Sequence, residues 1–218
     1  MGKKIKEVNI CVITDQEIAG QNLREVVRQS LLGGAEMIQF REKNMGDRDF
    51  YLLGLGLREE VRKFGALFLI NDRVDQALAL GADGVHIGPE DFPLPLARKI
   101  LGPEMIIGYS VKGVEDALRA NKEGADYLGV GPIFPTTSKD AGPALRANVL
   151  KKIREVVTLP ILAIGGIDEE NVEVPILSGA DGVAVIKAVM GAEEKSVKVK
   201  RLREKIIEAK KRRAKGEI

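Results

Sequence analysis

The chain has 218 residues, 44% of them hydrophobic and 30% charged, with a formal charge of +2. That length and composition fit one domain with a sizeable core and exclude a mainly disordered, collagen-like or heptad-built architecture. A single cysteine and a single histidine exclude an intrachain disulfide framework, a multi-cysteine zinc site and a His-rich metal centre, and no apolar run nears the roughly 18 residues of a transmembrane helix.

The first six residues carry three lysines, but the apolar stretch after them spans only 8–13 and is broken by Asn9. It is too short for a signal-peptide core, so a cytoplasmic location is expected. Cys11 within it reads as a small buried strand residue. Short apolar runs then recur at 8–14, 36–40, 67–70, 84–87, 105–108, 127–130, 160–164 and 182–186. Most lack in/out alternation, as strands buried on both faces do. Between them lie segments of helical character at 23–32, 47–64, 74–80, 93–101, 114–123, 145–157, 170–177 and 193–213. Buried strands alternating with helices predict parallel βαβ units.

A tripeptide repeat supports this. Gly34-Ala35-Glu36, Gly81-Ala82-Asp83, Gly124-Ala125-Asp126 and Gly179-Ala180-Asp181 stand 47, 43 and 55 residues apart, before strands two, four, six and eight. Each glycine suits a left-handed helix terminus. The period also suits two stacked half-barrels or a doubly wound open sheet. Eight strands with quarter-like periodicity favour a closed (β/α)8 TIM barrel, one α/β domain over residues 1–218. The chain ends in a basic helix at about 193–215. Lys198 to Arg213 plus Lys215 hold ten basic and two acidic residues, +8 in a chain of +2. Such a helix can meet nucleic acid or an anionic surface. A solvated last helix whose lysines complement its dipole is the better reading, because no aromatic residue interleaves with the charges.

In such a barrel, chemistry sits at the carboxyl ends of the strands. The polar residues cluster there: Thr14-Asp15, Gln39 to Lys43, Asn71-Asp72, His86 to Asp91, Ser110, the loop from Gly131 to Lys139, Gly165-Gly166 and Ile186-Lys187. Gln39, Arg41 and Lys43 are spaced by two, so on an extended segment they point the same way, toward an anion. Asp72 and Asp91 leave adjacent strands, roughly 4.8 Å apart. Two carboxylates there can share a hard cation whose other ligands are water and substrate oxygen, as Mg²⁺ prefers. Their alternative role is to cap the helices that follow. Gly165-Gly166 and Ile186-Lys187 fit a phosphate held on backbone N–H groups. Thr136, Thr137 and Ser138 add hydroxyls, Lys139 can reach between the two sides, and their long loop suits a lid. Two anion sites on one mouth, one of them metal-assisted, predict the joining of two phosphorylated substrates. No Cys–His or Ser–His–Asp set can be assembled, which favours leaving-group activation over strong-base chemistry.

These residues resemble the thiamine phosphate synthase family. The matching stretches are Gln39-Phe40-Arg41-Glu42-Lys43, Asn71-Asp72, Gly84 through Asp91, Gly131-Pro132-Ile133-Phe134-Pro135-Thr136, Lys139 and Ile164-Gly165-Gly166-Ile167, in order between about Ile10 and Val189. The resemblance implies a (β/α)8 barrel that couples 4-amino-5-hydroxymethyl-2-methylpyrimidine diphosphate to 4-methyl-5-(2-phosphoethyl)thiazole, giving thiamine phosphate and diphosphate. It implies that the stretch Gln39, Phe40, Arg41, Glu42 and Lys43, with Asn71, Ser110 and Lys139, holds the pyrimidine diphosphate. Arg41, Lys43, Lys139 and Ser110 would act in catalysis. Asp72 and Asp91 would carry Mg²⁺, and Thr136, Thr137, Ser138, Gly166, Ile186 and Lys187 would hold the thiazole phosphate. In the family the diphosphate leaves first and the thiazole nitrogen captures a pyrimidine methyl cation. Pro89 replaces the more usual Gln, and Lys187 stands where Ser is usual.

The rivals are a thiazole tautomerase, another phosphate-handling barrel, and a non-catalytic protein that binds through the basic tail. The tautomerase uses a histidine soon after strand five, where this chain has Ser110-Val111-Lys112. The other barrels need an acid/base pair that cannot be placed here. The expected partners are two phosphorylated small molecules, with neither membrane nor nucleic acid, and a homo-oligomer is compatible with the sequence.

Overall fold

The computed structural model describes residues 4–20, 22–136, 144–145 and 147–217. Among these residues the strands are β1 (Ile10–Ile13), β2 (Met37–Phe40), β3 (Leu67–Asn71), β4 (Gly84–Ile87), β5 (Ile106–Val111), β6 (Tyr127–Val130), β7 (Ile161–Ile164) and β8 (Gly182–Val185). The helices are α1 (Gln16–Ala19), α2 (Leu23–Leu32), α3 (Asp47–Lys63), α4 (Val74–Leu80), α5 (Leu94–Leu101), α6 (Val114–Glu123), α7 (Ala147–Val156), α8 (Glu173–Leu177), α9 (Lys187–Met190) and α10 (Lys195–Ala214). Each strand pairs in parallel with the next, and β8 pairs with β1, so the sheet closes into the predicted (β/α)8 barrel. None of these helices is long and apolar enough to cross a membrane.

Three boundaries differ from the sequence pattern. β5 runs on to Val111 instead of stopping at Gly108, with Tyr109 and Val111 buried outward and Ser110 turned to the barrel axis. α8 begins at Glu173, because residues 168–171 form a polar turn in which Asp168 N–H donates to Asn171 Oδ1 (3.0 Å) and Glu170 N–H to Asp168 Oδ1 (2.9 Å). The four-residue helices α1 and α9 are too short to register as a 3.6-residue period.

The barrel has an inner and an outer apolar layer. Cys11, Met37, Leu69, Ile106, Tyr127 and Leu162 fill the interior, and Ile5 and Val8, around a 3-10 turn at Lys4–Glu7, plug its amino-terminal end. The larger layer lies between strands and helices, with α10 contributing Val199, Leu202, Ile206 and Ala209 at spacings of three and four.

The tripeptide repeat has a physical basis at that amino-terminal floor. The glycines at 34, 81, 124 and 179 all have positive φ, between 57° and 110°, where a side chain is strained. A helix arginine lies over each one: Arg203, Arg58, Arg98 and Arg154 respectively. The acid that follows accepts from an amide at the start of the preceding odd strand: Glu36 from Ile10 (3.1 Å), Asp83 from Phe68 (2.8 Å), Asp126 from Ile107 (2.7 Å) and Asp181 from Ile161 (2.9 Å). Arg203, Arg98 and Arg154 also pair with Glu36, Asp126 and Asp181. Each clamp ties an odd strand, an even strand and an outer helix through one acid.

The basic tail serves the same end of the molecule. On α10, Lys198 pairs with Glu169, Arg212 with Glu173 and Arg213 with Asp181, and Lys210 donates to Asn9 Oδ1 (2.7 Å). Much of the +8 segment therefore neutralises barrel acids instead of forming a free cationic face.

Candidate active site

At the opposite end, a cavity of about 120 Å³ opens at the carboxyl ends of the strands, lined by Gln39, Arg41, Asn71, His86, Ser110 and Tyr127 among others. Arg41 is held from two sides. Arg41 N–H donates to Thr14 Oγ1 (2.9 Å), and the Thr14 hydroxyl returns a bond to Arg41 C=O (3.1 Å), tying the β2 exit to β1. Its guanidinium stands 3.8 Å from Asp15, which also caps α1 by accepting from Ile18 N–H (3.1 Å). Lys43 is exposed beyond it. Arg73 secures the next loop, donating to Met45 C=O (2.8 Å) and stacking 4.5 Å from the Phe50 ring centroid.

Two members of the 39–43 stretch face away. The Phe40 ring is wholly buried in the outer layer, stacked on Phe50 at 4.2 Å between centroids. The expected substrate contact of Phe40 is therefore corrected: strand parity turns Gln39 and Arg41 inward and Phe40 outward. Glu42 is turned onto α1, where its Oε1 accepts from Gln16 N–H (3.0 Å). Burial and then the Asp15 charge push its carboxyl up to about 7, against the pull of the Gln16 amide and Arg41. Its printed contact positions the β1 exit, and the expected substrate contact of Glu42 is corrected accordingly.

The acids from β3 and β4 meet. Asp72 lies against Asp91, with Arg41 and Lys43 near enough to act on it. Burial first, then the hydrogen bond and charge of Asp91, push the Asp72 carboxyl up to about 6, while the two cations pull it down. Asp72 also has φ 63°, the one described non-glycine residue in the left-handed region, and its N–H donates to His86 C=O (2.8 Å). Asp is among the few residues that tolerate this conformation, and its cost is kept where a carboxylate must be aimed. Neither acid caps a helix: α4 and α5 start at Arg73 and Pro93 without side-chain caps. Asp91 Oδ2 accepts instead from Gly88 N–H (2.7 Å). Two like charges forced together suit a hard cation that takes its remaining ligands from water and substrate. Among the described residues no group of three or more acidic, His or Cys side chains forms a denser site.

The other side of the mouth is partly described. Ile186 lines the cavity, and Lys187 is exposed at the start of α9. Gly165 and Gly166 have φ of 95° and 64°. They are also required by the loop after β6: a Cβ on Gly166 would lie 2.6 Å from Pro135 O, and Phe134 N–H donates to Gly165 C=O (3.1 Å). Thr136 is half-buried on this loop. Thr137, Ser138 and Lys139 lie outside the described residues.

One constellation escaped the sequence pattern. His86 Nε2 lies 2.9 Å from Ser110 Oγ, and His86 Nδ1 lies 2.9 Å from the Tyr127 hydroxyl. The available signal was a polar residue inside each of three apolar strands. Chemically, the mouth offers fixed cations for an anionic leaving group, paired carboxylates for a cation, and neutral donors on a dry floor.

Comparison with known proteins agrees with this geometry. The family model described as thiamine monophosphate synthase matches residues 10–189. The thiamine-phosphate synthases of Syntrophomonas wolfei and Moorella thermoacetica are 46% and 49% identical over 200 and 199 residues, covering 91% of this chain and 96% and 95% of theirs. The solved thiamine phosphate pyrophosphorylase of Pyrococcus furiosus superposes with a TM-score of 0.88 at 44% identity, covering 95% of this chain and 99% of that one. With a family match across most of its length and relatives near half identical, the chain belongs to the thiamine monophosphate synthase family.

Proposed function

We propose that the chain is a Mg²⁺-dependent cytoplasmic transferase. It condenses 4-amino-5-hydroxymethyl-2-methylpyrimidine diphosphate with 4-methyl-5-(2-phosphoethyl)thiazole and releases thiamine phosphate and diphosphate. The observation that carries this reading is the meeting of Asp72, Asp91, Arg41 and Lys43 at one mouth, above Asn71 and Ser110. The diphosphate seats against Arg41 and Lys43, with Lys139 joining from the loop after β6. When bound at Asp72 and Asp91, Mg²⁺ adds positive charge beside the diphosphate oxygens.

The C–O bond between the pyrimidine methylene and the diphosphate breaks, and its electron pair leaves with the diphosphate. The aminopyrimidine spreads the resulting positive charge, and the thiazole nitrogen donates its lone pair to the methylene carbon. Arg41 needs little rearrangement as charge grows on the leaving group, because Thr14 and Asp15 already fix it. Gln39 and Asn71 orient the pyrimidine, and the apolar walls of the cavity keep water from the cation. Gly166, Ile186, Lys187 and the hydroxyls of residues 136–138 hold the thiazole phosphate. Lys187 does so as a point charge where a serine would offer a hydroxyl.

The test mixes the purified chain with both precursors, with and without chelator, and measures thiamine phosphate. Product that disappears with chelator and returns with Mg²⁺ is expected. No product from folded protein and fresh substrates overturns the proposal.

A further inference from the structure

The floor of the cavity is built around a line of three neutral side chains on consecutive strands. His86 is in register with Gly108, Gly108 with Tyr127, and Ser110 with Gly129. The two glycines leave the space that the line occupies. A Cβ on Gly108 would run into the Tyr127 ring and stand 2.5 Å from His86 Nδ1, and one on Gly129 would stand 2.8 Å from His86 Cε1. His86 can therefore reach across β5 and touch Tyr127 on one side and Ser110 on the other, each at 2.9 Å. Enclosure keeps the imidazole neutral, pushing its pKa down to about 4 against the opposing charge of Asp91. A neutral imidazole has one N–H and one lone pair, so the line has a direction.

The direction follows from Tyr127. This side chain is fully buried, and the neighbouring Gln39 acts on its hydroxyl with the sign of an amide N–H donating to the phenol oxygen. If His86 Nδ1 also carried a proton, Tyr127 would accept twice and its own O–H would be left without an acceptor. Such an orphan costs about 1–3 kcal/mol. The satisfied arrangement runs the other way. We infer that Tyr127 and His86 are positioning residues that aim the Ser110 hydroxyl. Tyr127 O–H donates to His86 Nδ1, His86 Nε2–H donates to Ser110 Oγ, and Ser110 O–H donates into the cavity, toward a hydrogen-bond acceptor on the substrate. Run backwards, the line would spend the Ser110 proton on His86 and present only a lone pair to the ligand. The direction is a property of the free protein; its use in turnover rests on the reaction proposed above.

His86 is the only histidine in the chain, so full-length protein labelled with ¹⁵N-histidine gives a single imidazole. In substrate-free protein at neutral pH, one tautomer is expected, with Nε2 protonated and Nδ1 bare. An Nδ1–H tautomer, or a mixture, overturns the inference without any variant. Ser110→Ala should keep the Nε2–H form, because Tyr127 still donates to Nδ1; a mixture in this variant overturns the direction. Tyr127→Phe should lose the single tautomer and lower kcat/KM for the pyrimidine substrate roughly tenfold, about one hydrogen bond. The KM for the thiazole should stay unchanged. A Tyr127→Phe protein with the wild-type tautomer and wild-type turnover also overturns it. Absence of product from the wild-type chain counts against the reaction alone, since the tautomer is read without substrate.

Discussion

The two ends of the barrel use the same residue type in opposite ways. At the floor, Asp126 and Asp181 each accept a strand amide and pair with an arginine, so their charge is answered within the fold. At the mouth, Asp72 is pressed against another carboxylate, on a backbone at φ 63°, and its acidity is weakened to about 6. An acid that serves stability is surrounded by donors. An acid that serves a ligand is held short of satisfaction and leaves something for the ligand to complete. The floor should therefore govern folding and the mouth turnover, and substitutions can separate the two.

Asp72→Asn should have the largest effect on chemistry. Thiamine phosphate formation is expected to fall by about 10²–10³-fold, in the range seen when a preorganised charge partner is lost. Its melting temperature should be unchanged or higher, because Asn tolerates the left-handed backbone and the repulsion with Asp91 is gone. Equal loss of stability and turnover would show that Asp72 belongs with the floor. Asp126→Ala reverses the pattern. It strips the Ile107 amide and Arg98 of their acceptor and is expected to cost about 2 kcal/mol, discounted for its partial exposure. Turnover per folded molecule should hold, and denaturant titration alongside a rate assay reads both.

A smaller effect is expected from pH, and its sign differs between stability and activity. The folded pKa of Asp72 is raised above the unfolded value, so the folded chain takes up this proton first as pH falls. Its contribution then favours folding, growing as pH drops from 7 through about 6 and complete below the ordinary carboxylate range. Thermal melts of the metal-free chain should show this gain, and Asp72→Asn should remove it. Binding of a cation needs the ionised form, so added Mg²⁺ should raise the melting temperature at pH 8 and not at pH 5. The smallest change is expected for Lys211→Glu on the exposed side of α10, within about 0.5 kcal/mol of the parent. A large loss there would mean that the tail's remaining charge has a structural partner.

The fold was legible because each buried strand is a short apolar run and each even strand is announced by Gly-Ala-acid. The mouth was legible as a set of strand exits, and strand parity even separates Gln39 and Arg41 from Phe40. Family likeness had grouped all five residues from 39 to 43 together, and parity was the better guide to where the Phe40 ring points. What stayed hidden depends on contacts between distant segments. Gly108 reads as the end of a strand, whereas it is a gap through which residues 86 and 127 touch. The strained backbone at Asp72 has no local marker either, because Asn-Asp occurs equally at ordinary turns.

The floor clamps also constrain how the protein is born. Three of them use an arginine from within a few dozen residues of their acid, but the fourth joins Glu36 to Arg203, 167 positions later. A nascent chain emerging from the ribosome can complete the later quarters of the ring as they appear. Its first quarter must wait, with its edge unsealed, until synthesis is nearly finished.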